Sequence, residues 1–263
     1  MATVINLTLP IAPDMPVGQV WPHDVPFQME PIRTYAAGGA QLEYYQFHTE
    51  TGTRLVTRAR HDPNAAGLGG VDFAGLVDRR AVVVDIPKGA GESIESHEIE
   101  AVVARAEGYE NGDALLIRTG WGETARCRSL GEAFVLQSPR LTVDAARALA
   151  AILRDHRSTL MAIDTPCLSS CAQSHARREW LPVPSWQRPH WPSDIARAYL
   201  RQYGPAKAEA DWGDDRIVLD AANVLLAIGN AGAIRTRHVL LTALPFFAEE
   251  LPAAPATVIA KEA

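Results

Sequence analysis

The chain has few cysteines, no long apolar run and no excess of basic residues. Its 263 residues include three Cys, and 31 acidic side chains outnumber 25 basic ones, which gives a formal net charge of −6. This balance offers no electrostatic footprint for nucleic acid or for an anionic membrane. No apolar run reaches the roughly 18 residues of a membrane span, and the N-terminus lacks the basic and apolar regions of a signal peptide. These absences predict a cytoplasmic protein whose partner is a small molecule, with no nucleic acid and no membrane.

Three cysteines are too few, and odd in number, to form a disulfide framework in a chain of this length. A reducing compartment is therefore the simpler interpretation. Cys167, Cys171 and His175 stand four residues apart, so a zinc site on one helical face is one hypothesis. The alternative is that the cysteines are two small, partly buried thiols.

Common catalytic motifs are also missing. The sequence contains no Walker loop, no GxGxxG, no HExxH and no GxSxG. Nucleotide-binding, zincin and serine-hydrolase functions therefore have no support from motifs.

Apolar segments alternate with segments of helical character through the middle of the chain. Short β-branched or aliphatic runs predict buried strands, and these are Ala81–Ile86, Ala114–Arg118, Leu160–Asp164, Val239–Leu244 and Ala256–Ala260. Helices are predicted at Glu98–Arg105, with Ser96 as N-cap, and at Val143–Asp155, with Thr142 as N-cap. Alternation in Leu42–Phe47 predicts hairpins or edge strands near the N-terminus. The fold class predicted is α/β, a single compact domain over residues 1–263 with a mixed β-sheet flanked by helices.

Residues 179–192 read EWLPVPSWQRPHWP, with three Trp and four Pro. A regular helix is excluded there, because proline removes a backbone donor and clashes with the preceding turn. A stiff surface loop is one interpretation. A lid or a subunit-interface arm is the favoured one, since Trp is enriched at binding surfaces, and Trp186 within it is a candidate substrate contact.

Six segments, in order along nearly the whole chain, resemble the cyclase family that includes bacterial kynurenine formamidases, isatin hydrolase and polyketide cyclases. These are INLTLPIAPDMPVGQVWPHDVPF from Ile5, TGT from Thr51, AVVVDI from Ala81, GDALLIRTGW from Gly112, AIDTPCLSS from Ala162 and ALPFF from Ala243. The resemblance implies a swivelling β/β/α-like fold. It also implies a homodimer or homotetramer with the active site near a subunit interface.

The family signature HxGTHxDxPxH, which supplies metal ligands and a catalytic His, is degenerate in this chain. Aligned on Gly52-Thr53, the chain has Glu50 and Arg54 for the first two His, Val56 for the Asp and Arg60 for the last His. The second metal motif of the family ends in Glu, and the matching LLAIGN has Gly229 at that position. Guanidinium groups have no lone pair to offer a metal and repel a dication. We therefore expect no metal and no other cofactor at the usual place.

The same block of sequence offers replacements for the metal. Arg54 and Arg60 could clamp a carboxylate or a developing oxyanion, as a Lewis acid would. His61 or His48 could transfer protons, because imidazole titrates near neutrality. Glu50 could orient one of these groups or pair with Arg54. Each residue also has a structural interpretation: a solvated loop for His61, and a simple ion pair for Glu50 with Arg54.

The resemblance adds four candidates for substrate binding. Trp21 and Trp121 match aromatic positions of the family's cavity, where a flat ring favours cyclic or aromatic substrates. Asp164 and Thr165 end a predicted strand, where open α/β sheets often place functional groups. Core packing for the tryptophans and turn hydrogen bonds for Asp164 are the alternatives.

Three functional hypotheses follow from the sequence. The first is a metal-independent enzyme that acts on a small cyclic or aromatic carbonyl compound by cyclisation, dehydration or related acid/base chemistry. The second is an amide or lactone hydrolase that binds zinc or manganese through substitute ligands such as His48, Glu50 and His61. The third is a non-catalytic binding protein or partner subunit.

Overall fold

The computed structural model describes residues 2–18, 27–169 and 215–262. The predictions at Trp21, His175, Trp186 and the 179–192 segment lie outside these residues. No helix within the described part is long and apolar enough to cross a membrane.

Strands account for most of the regular structure among the described residues. They are β1 (Thr3–Asn6), β2 (Gln28–Arg33), β3 (Leu42–Gln46), β4 (Arg54–Val56), β5 (Arg79–Asp85), β6 (Ser93–Ile94), β7 (Ala114–Arg118), β8 (Arg140–Leu141), β9 (Leu160–Ile163), β10 (Asn223–Leu226), β11 (His238–Pro245) and β12 (Ala253–Glu262). The predicted strands of the middle and C-terminal regions are confirmed, although β12 begins before its predicted start and ends after its predicted end.

The main sheet has eight strands in the order β1-β12-β11-β5-β7-β9-β10-β4 and is mixed. Neighbours β5, β7, β9 and β10 pair in parallel, and the other neighbours are antiparallel. The long β12 also pairs with β4 through Ala253–Pro255, so the sheet curls into a barrel-like closure. The predicted mixed α/β architecture is confirmed, and β4, which begins with Arg54, lies where the barrel closes.

Helices in the described residues are α1 (Tyr35–Gly38), α2 (Ser96–Ala104), α3 (Thr124–Leu130), α4 (Glu132–Leu136) and α5 (Val143–Asp155), and residues 215–219 are also helical. The bounds predicted for α5 are confirmed, with the Thr142 hydroxyl accepting from Ala145 N–H. The predicted cap of α2 is wrong. Glu95, not Ser96, is the N-cap, because Glu95 and Glu98 form a reciprocal capping box.

Two apolar layers hold the sheet in place. One contains side chains from the barrel interior, including Leu55, Leu116 and Leu225. The other lies between the sheet and helices α2 and α5, and includes Val56, Ile117 and Leu149. Successive residues of β4 and β7 therefore enter opposite layers, as the two-residue period of a strand requires.

The hairpin β2–β3 forms a separate two-stranded sheet. The prediction of a hairpin is confirmed. The alternation of apolar and polar residues in its strands does not correspond to a buried face of the hairpin. Residues Met29, Ile32, Tyr44 and Tyr45 are each more than half exposed.

Candidate functional site

The turn that carries the degenerate motif is held rigidly against the barrel. Gly52 has a φ of 65°, a left-handed conformation that glycine adopts without strain. The Thr53 hydroxyl donates to Ala227 O at 2.6 Å and accepts from Leu9 N–H at 2.8 Å. Thr53 therefore connects three distant segments of the chain and fixes where β4 starts.

Arg54 is buried beside this turn, and its guanidinium is bonded to protein groups. Nη2 donates to Pro166 O at 2.6 Å and Nη1 donates to Gly52 O at 3.2 Å. Nη2 also lies 3.8 Å from Glu50 Oε2. A substrate clamp at Arg54 would have to compete with these contacts, so its predicted clamp role stays a prediction.

Arg60 lies between two carboxylates. Its Nε is 3.0 Å from Glu50 Oε1, and its Nη1 donates to Asp215 Oδ2 at 3.1 Å. Burial alone would lower the pKa of Arg60, but the negative charges of Glu50 and Asp215 raise it overall. The guanidinium therefore stays protonated at every pH at which the protein folds.

Asp215 is a member of this group that the sequence did not indicate. It is fully buried, accepts from Ser169 N–H at 3.1 Å through Oδ1, and begins the helical residues 215–219. No motif marks it, and 155 positions separate it from Arg60. Glu50, Arg54, Arg60 and Asp215 together form what we term the charge network, which has two positive and two negative charges.

The charge network does not fit the divalent metal that the family signature implies. Two of the positions carry guanidinium groups, of which Arg54 is buried and Arg60 is half-buried, and Val56 is a core residue with no donor atom. The carboxylate of Glu50 already bonds Arg60. A dication would have to enter beside two fixed positive charges, so we derive no chemical step through a metal.

His61 follows the charge network directly and has a different character. It is half-buried, and its Nε2 is covered yet has no hydrogen-bond partner among the described residues. Burial lowers the pKa of His61, the charge of Arg60 lowers it further, and Asp215 and Glu50 oppose the shift only in part. The ring is therefore neutral at pH 7 and can accept a proton.

His61 opens onto a cleft of about 200 Å³, which we call the His61 cleft. Its other lining residues are Arg58, Asp62, Pro63, Arg216, Leu219 and Asp220. Arg58 pairs with Asp62 at 3.0 Å and with Asp220 at 3.2 Å on the rim. A neutral base thus lies beside a polar cleft that carries cationic groups.

The other predicted acid/base residue, His48, has both ring nitrogens in use. Nδ1 accepts from Glu50 N–H at 3.2 Å, so Nε2 carries the proton and donates to Gly18 O. His48 thereby fixes the backbone of Glu50. Its predicted role in proton transfer stays a prediction.

Trp121, Asp164 and Thr165 lie together but have contacts typical of core and turn residues. Trp121 is buried, stacks on Phe134 and donates from Nε1 to its carbonyl oxygen. Asp164 accepts from the Thr119 hydroxyl and from consecutive amides of residues 119–122. Thr165 donates to Cys167 O. Their predicted contacts with substrate stay predictions.

Asp164 explains the conformation of the segment GDALLIRTGW at its end. Burial raises the pKa of Asp164, while the hydrogen bonds from Thr119, Gly122 and Gly120 oppose that rise. A Cβ at Gly122 would overlap the Ile228 carbonyl oxygen and Asp164. A glycine is needed there so that the amides can surround the carboxylate.

The zinc hypothesis at Cys167, Cys171 and His175 fails at its first residue. Cys167 is disulfide-bonded, so its sulfur is not a thiolate donor, and the expectation of a free thiol is wrong there. Cys171 and His175 lie outside the described residues. Across residues 2–18, 27–169 and 215–262, no three His, Cys, Asp or Glu side chains form a group that could hold a metal.

Comparison with protein families identifies the chain. The model of the Cyclase family, described as "Putative cyclase", matches residues 5–169, which is more than half of the chain. The chain therefore belongs to the Cyclase family, as its sequence motifs predict. No curated protein matches the chain.

Solved structures share the fold at low sequence identity. An isatin hydrolase bound to the product analogue thioisatinate aligns with a TM-score of 0.72 and 16% identity, over 99% of this chain and 92% of that one. Isatin hydrolase A from Labrenzia aggregata, bound to benzyl benzoate, aligns with 0.70 and 17%, over 99% and 94%. A predicted metal-dependent hydrolase from Bacillus stearothermophilus aligns with 0.64 and 16%, over all of both chains. The shared fold confirms the predicted α/β class.

Proposed function

We propose that this protein is a metal-independent enzyme of the Cyclase family that acts on a small cyclic or aromatic carbonyl compound by acid/base chemistry. The observation that carries the proposal is His61, which lines an open cleft and whose covered Nε2 has no hydrogen-bond partner within residues 2–18, 27–169 and 215–262. A buried polar atom without a partner costs about 1–3 kcal/mol, and such atoms in native proteins often serve catalysis. His61 is therefore the proposed proton acceptor.

The charge network supports this role without providing a metal. It holds Arg60 next to His61, and that positive charge lowers the pKa of His61 and so helps to keep the imidazole unprotonated and available to accept a proton. Its two carboxylates balance its two guanidinium groups, which stabilises buried charge that would otherwise be costly. The network thus occupies the place of a metal centre and tunes the neighbouring base.

Arg58 and Arg216 line the same cleft and are proposed to hold an acidic group of the substrate, for which Arg58 would exchange its contacts with Asp62 and Asp220. A guanidinium can bind a carboxylate or an enolate oxygen through charge-assisted hydrogen bonds. In a dehydration, the neutral imidazole of His61 would take the proton from the carbon next to the carbonyl. The imidazolium would then return it to the departing hydroxyl group, which leaves as water. Cyclisation would use the same proton acceptor.

A second candidate is hydrolysis of a cyclic amide or lactone. It is favoured by the isatin hydrolases among the solved structures that share this fold. In the form predicted from the sequence, it needs zinc or manganese held by substitute ligands. A non-catalytic binding protein is the third candidate, and it needs no proton acceptor at all.

One assay separates these candidates. The chelator-treated protein is tested against isatin, an aromatic lactone and a β-hydroxy carbonyl compound, each followed by absorbance. We expect turnover of at least one compound without metal, and its loss in His61→Gln. The matched control is His97→Gln on helix α2, which should keep full activity. Turnover that appears only after zinc or manganese is added would support the second candidate, and no turnover under any condition would support the third.

We also propose that the protein assembles as a homodimer or homotetramer through the β2–β3 hairpin. An isolated two-stranded hairpin is marginally stable in water, and exposed apolar patches mark interaction surfaces. The exposed side chains of this hairpin continue into an aromatic row in which Tyr45 stacks on Phe47 and Phe47 meets Phe246 edge-on. A second copy of the chain would cover this surface.

A further inference from the structure

A second cleft lies against strand β5 and is lined by different residues from those of the His61 cleft. Its volume is about 440 Å³, and none of its lining residues is shared with the His61 cleft. It opens where β5 and β11 stop pairing, because their ladder ends at Val82 opposite His238. Beyond that point a single hydrogen bond, from Val83 N–H to Arg237 O, joins the two segments.

The rim of this cleft is cationic, and its apolar surface is small. The cleft borders β5 at Val82, Val83 and Val84, which are buried in the core, and half-buried Val102 and Ala106 from the region of helix α2 add apolar lining. The rim carries the charged residues Arg105, Arg118, Arg235, Arg237, Asp85 and Glu107. Four positive charges therefore face two negative ones in a protein whose net charge is −6.

Arg118 and Asp85 neutralise each other and form a fixed wall. Arg118 Nε and Nη2 bind the two Asp85 oxygens at 2.8 and 2.9 Å. Arg118 Nη1 also donates to the carbonyl oxygens of Ala231 and Ile234. This pair therefore connects β7 to the loop before Arg235 and leaves no charge for a ligand.

The other three arginines are not neutralised in this way. Within the described part of the chain, Arg105, Arg235 and Arg237 form no ion pair, and the side chain of Arg105 bonds only the Ala101 carbonyl oxygen. Glu107 is the remaining acidic residue of the rim, and outside the rim the Glu262 carboxylate accepts from Arg235 N–H and lies within reach of the Arg235 charge. Like charges gathered in one concave site repel one another, and an anion bound there would offset that repulsion.

We propose that this arginine cleft, defined by Arg105, Arg235 and Arg237, binds a small amphipathic oxyanion. The guanidinium groups would bind a carboxylate or phosphoryl group, and the half-buried Val102 and Ala106 would contact an apolar body such as an aromatic ring. The site is separate from the proposed catalytic residues. It therefore provides a second ligand site on the protein.

Binding is measured by isothermal titration calorimetry with three probes: phenyl phosphate, benzoate and inorganic phosphate. We expect phenyl phosphate to bind, and inorganic phosphate to bind more weakly because it lacks the apolar body. Benzoate as the tighter aromatic probe would assign a carboxylate ligand, and phenyl phosphate as the tighter one would assign a phosphoryl ligand. No binding of either aromatic probe would overturn the proposal.

Variants locate the binding and keep it distinct from the His61 cleft. Arg105→Gln and Arg237→Gln should each weaken binding by about tenfold, the loss of one charge-assisted hydrogen bond. Arg154→Gln, an exposed charge on helix α5, is the matched control and should bind as the wild type does. Arg58→Gln should leave unchanged the binding that depends on Arg105 and Arg237, since Arg58 lines the separate His61 cleft. Affinity that falls in Arg58→Gln but not in Arg237→Gln would contradict the proposal and place the anion at His61.

Discussion

The guanidinium of Arg60 lies 3.0 Å from the carboxylate of Glu50, at two positions where the family signature has histidines. Arg60 also contacts a second carboxylate, because its Nη1 lies 3.1 Å from Asp215 Oδ2. These ionic contacts therefore lie at positions where the family signature implies metal ligands.

Removing Arg60 should destabilise the protein. In Arg60→Met, the buried carboxylate of Asp215 and the half-buried carboxylate of Glu50 lose their shared partner. We expect the free energy of unfolding to fall by about 2–4 kcal/mol, measured by urea denaturation. Arg147→Met breaks an exposed pair with Asp144 and is the matched control, which should change stability little. Equal, small effects of the two substitutions would show that the charge network does not stabilise the fold.

The pKa of His61 sets a pH dependence. Because the pKa lies below its ordinary value of 6.5, the folded protein binds less proton at His61 than the unfolded chain does. Stability should therefore fall as the pH drops below 6.5, and a general base at His61 should stay active at pH 6. Profiles of kcat/KM and of unfolding against pH check both effects. His61→Gln should flatten the stability profile between pH 7 and 5, and an unchanged slope would exclude His61 as its source.

Asp164 is expected to be essential for the turn after β7. In Asp164→Asn, an amide NH₂ would face backbone N–H groups that now donate to the carboxylate. We expect a loss of about 3 kcal/mol in the free energy of unfolding, because buried donors would lose their acceptor. Asp144→Asn on the exposed face of α5 is the control. Wild-type stability in Asp164→Asn would mean that the hydrogen bonds to Asp164 contribute nothing net.

The proposed assembly can be tested on the hairpin. Ile32→Glu with Tyr44→Glu places charge on two exposed positions, so the fold of the monomer should survive. Light scattering coupled to size exclusion should show an oligomer for the wild type and a smaller species for the variant. A wild-type monomer would contradict the assembly. An oligomer unchanged by the substitutions would exclude the hairpin as its contact.

The strands could be predicted from the sequence because they are buried on both sides. Continuous apolar runs such as Ala114–Arg118 need no alternating pattern, and turn residues mark their ends. The N-cap of α2 was not predicted correctly. Glu95 caps the helix through reciprocal hydrogen bonds with Glu98, and a search for a Ser or Thr cap overlooks this arrangement. The charge network was predicted only in part. Glu50, Arg54 and Arg60 lie in one sequence motif. Asp215 is distant in sequence and comes next to Arg60 only in the folded chain, so no local sequence pattern predicts it.

The central claim is that this fold positions acid/base chemistry where the family signature implies a metal centre. The most direct test is elemental analysis of the folded protein, purified without chelator and then incubated with zinc and with manganese. We predict no stoichiometric metal in any of the three samples, with circular dichroism confirming that the protein is folded. One equivalent of zinc or manganese, lost in Glu50→Ala, would contradict the account and restore metal-assisted hydrolysis.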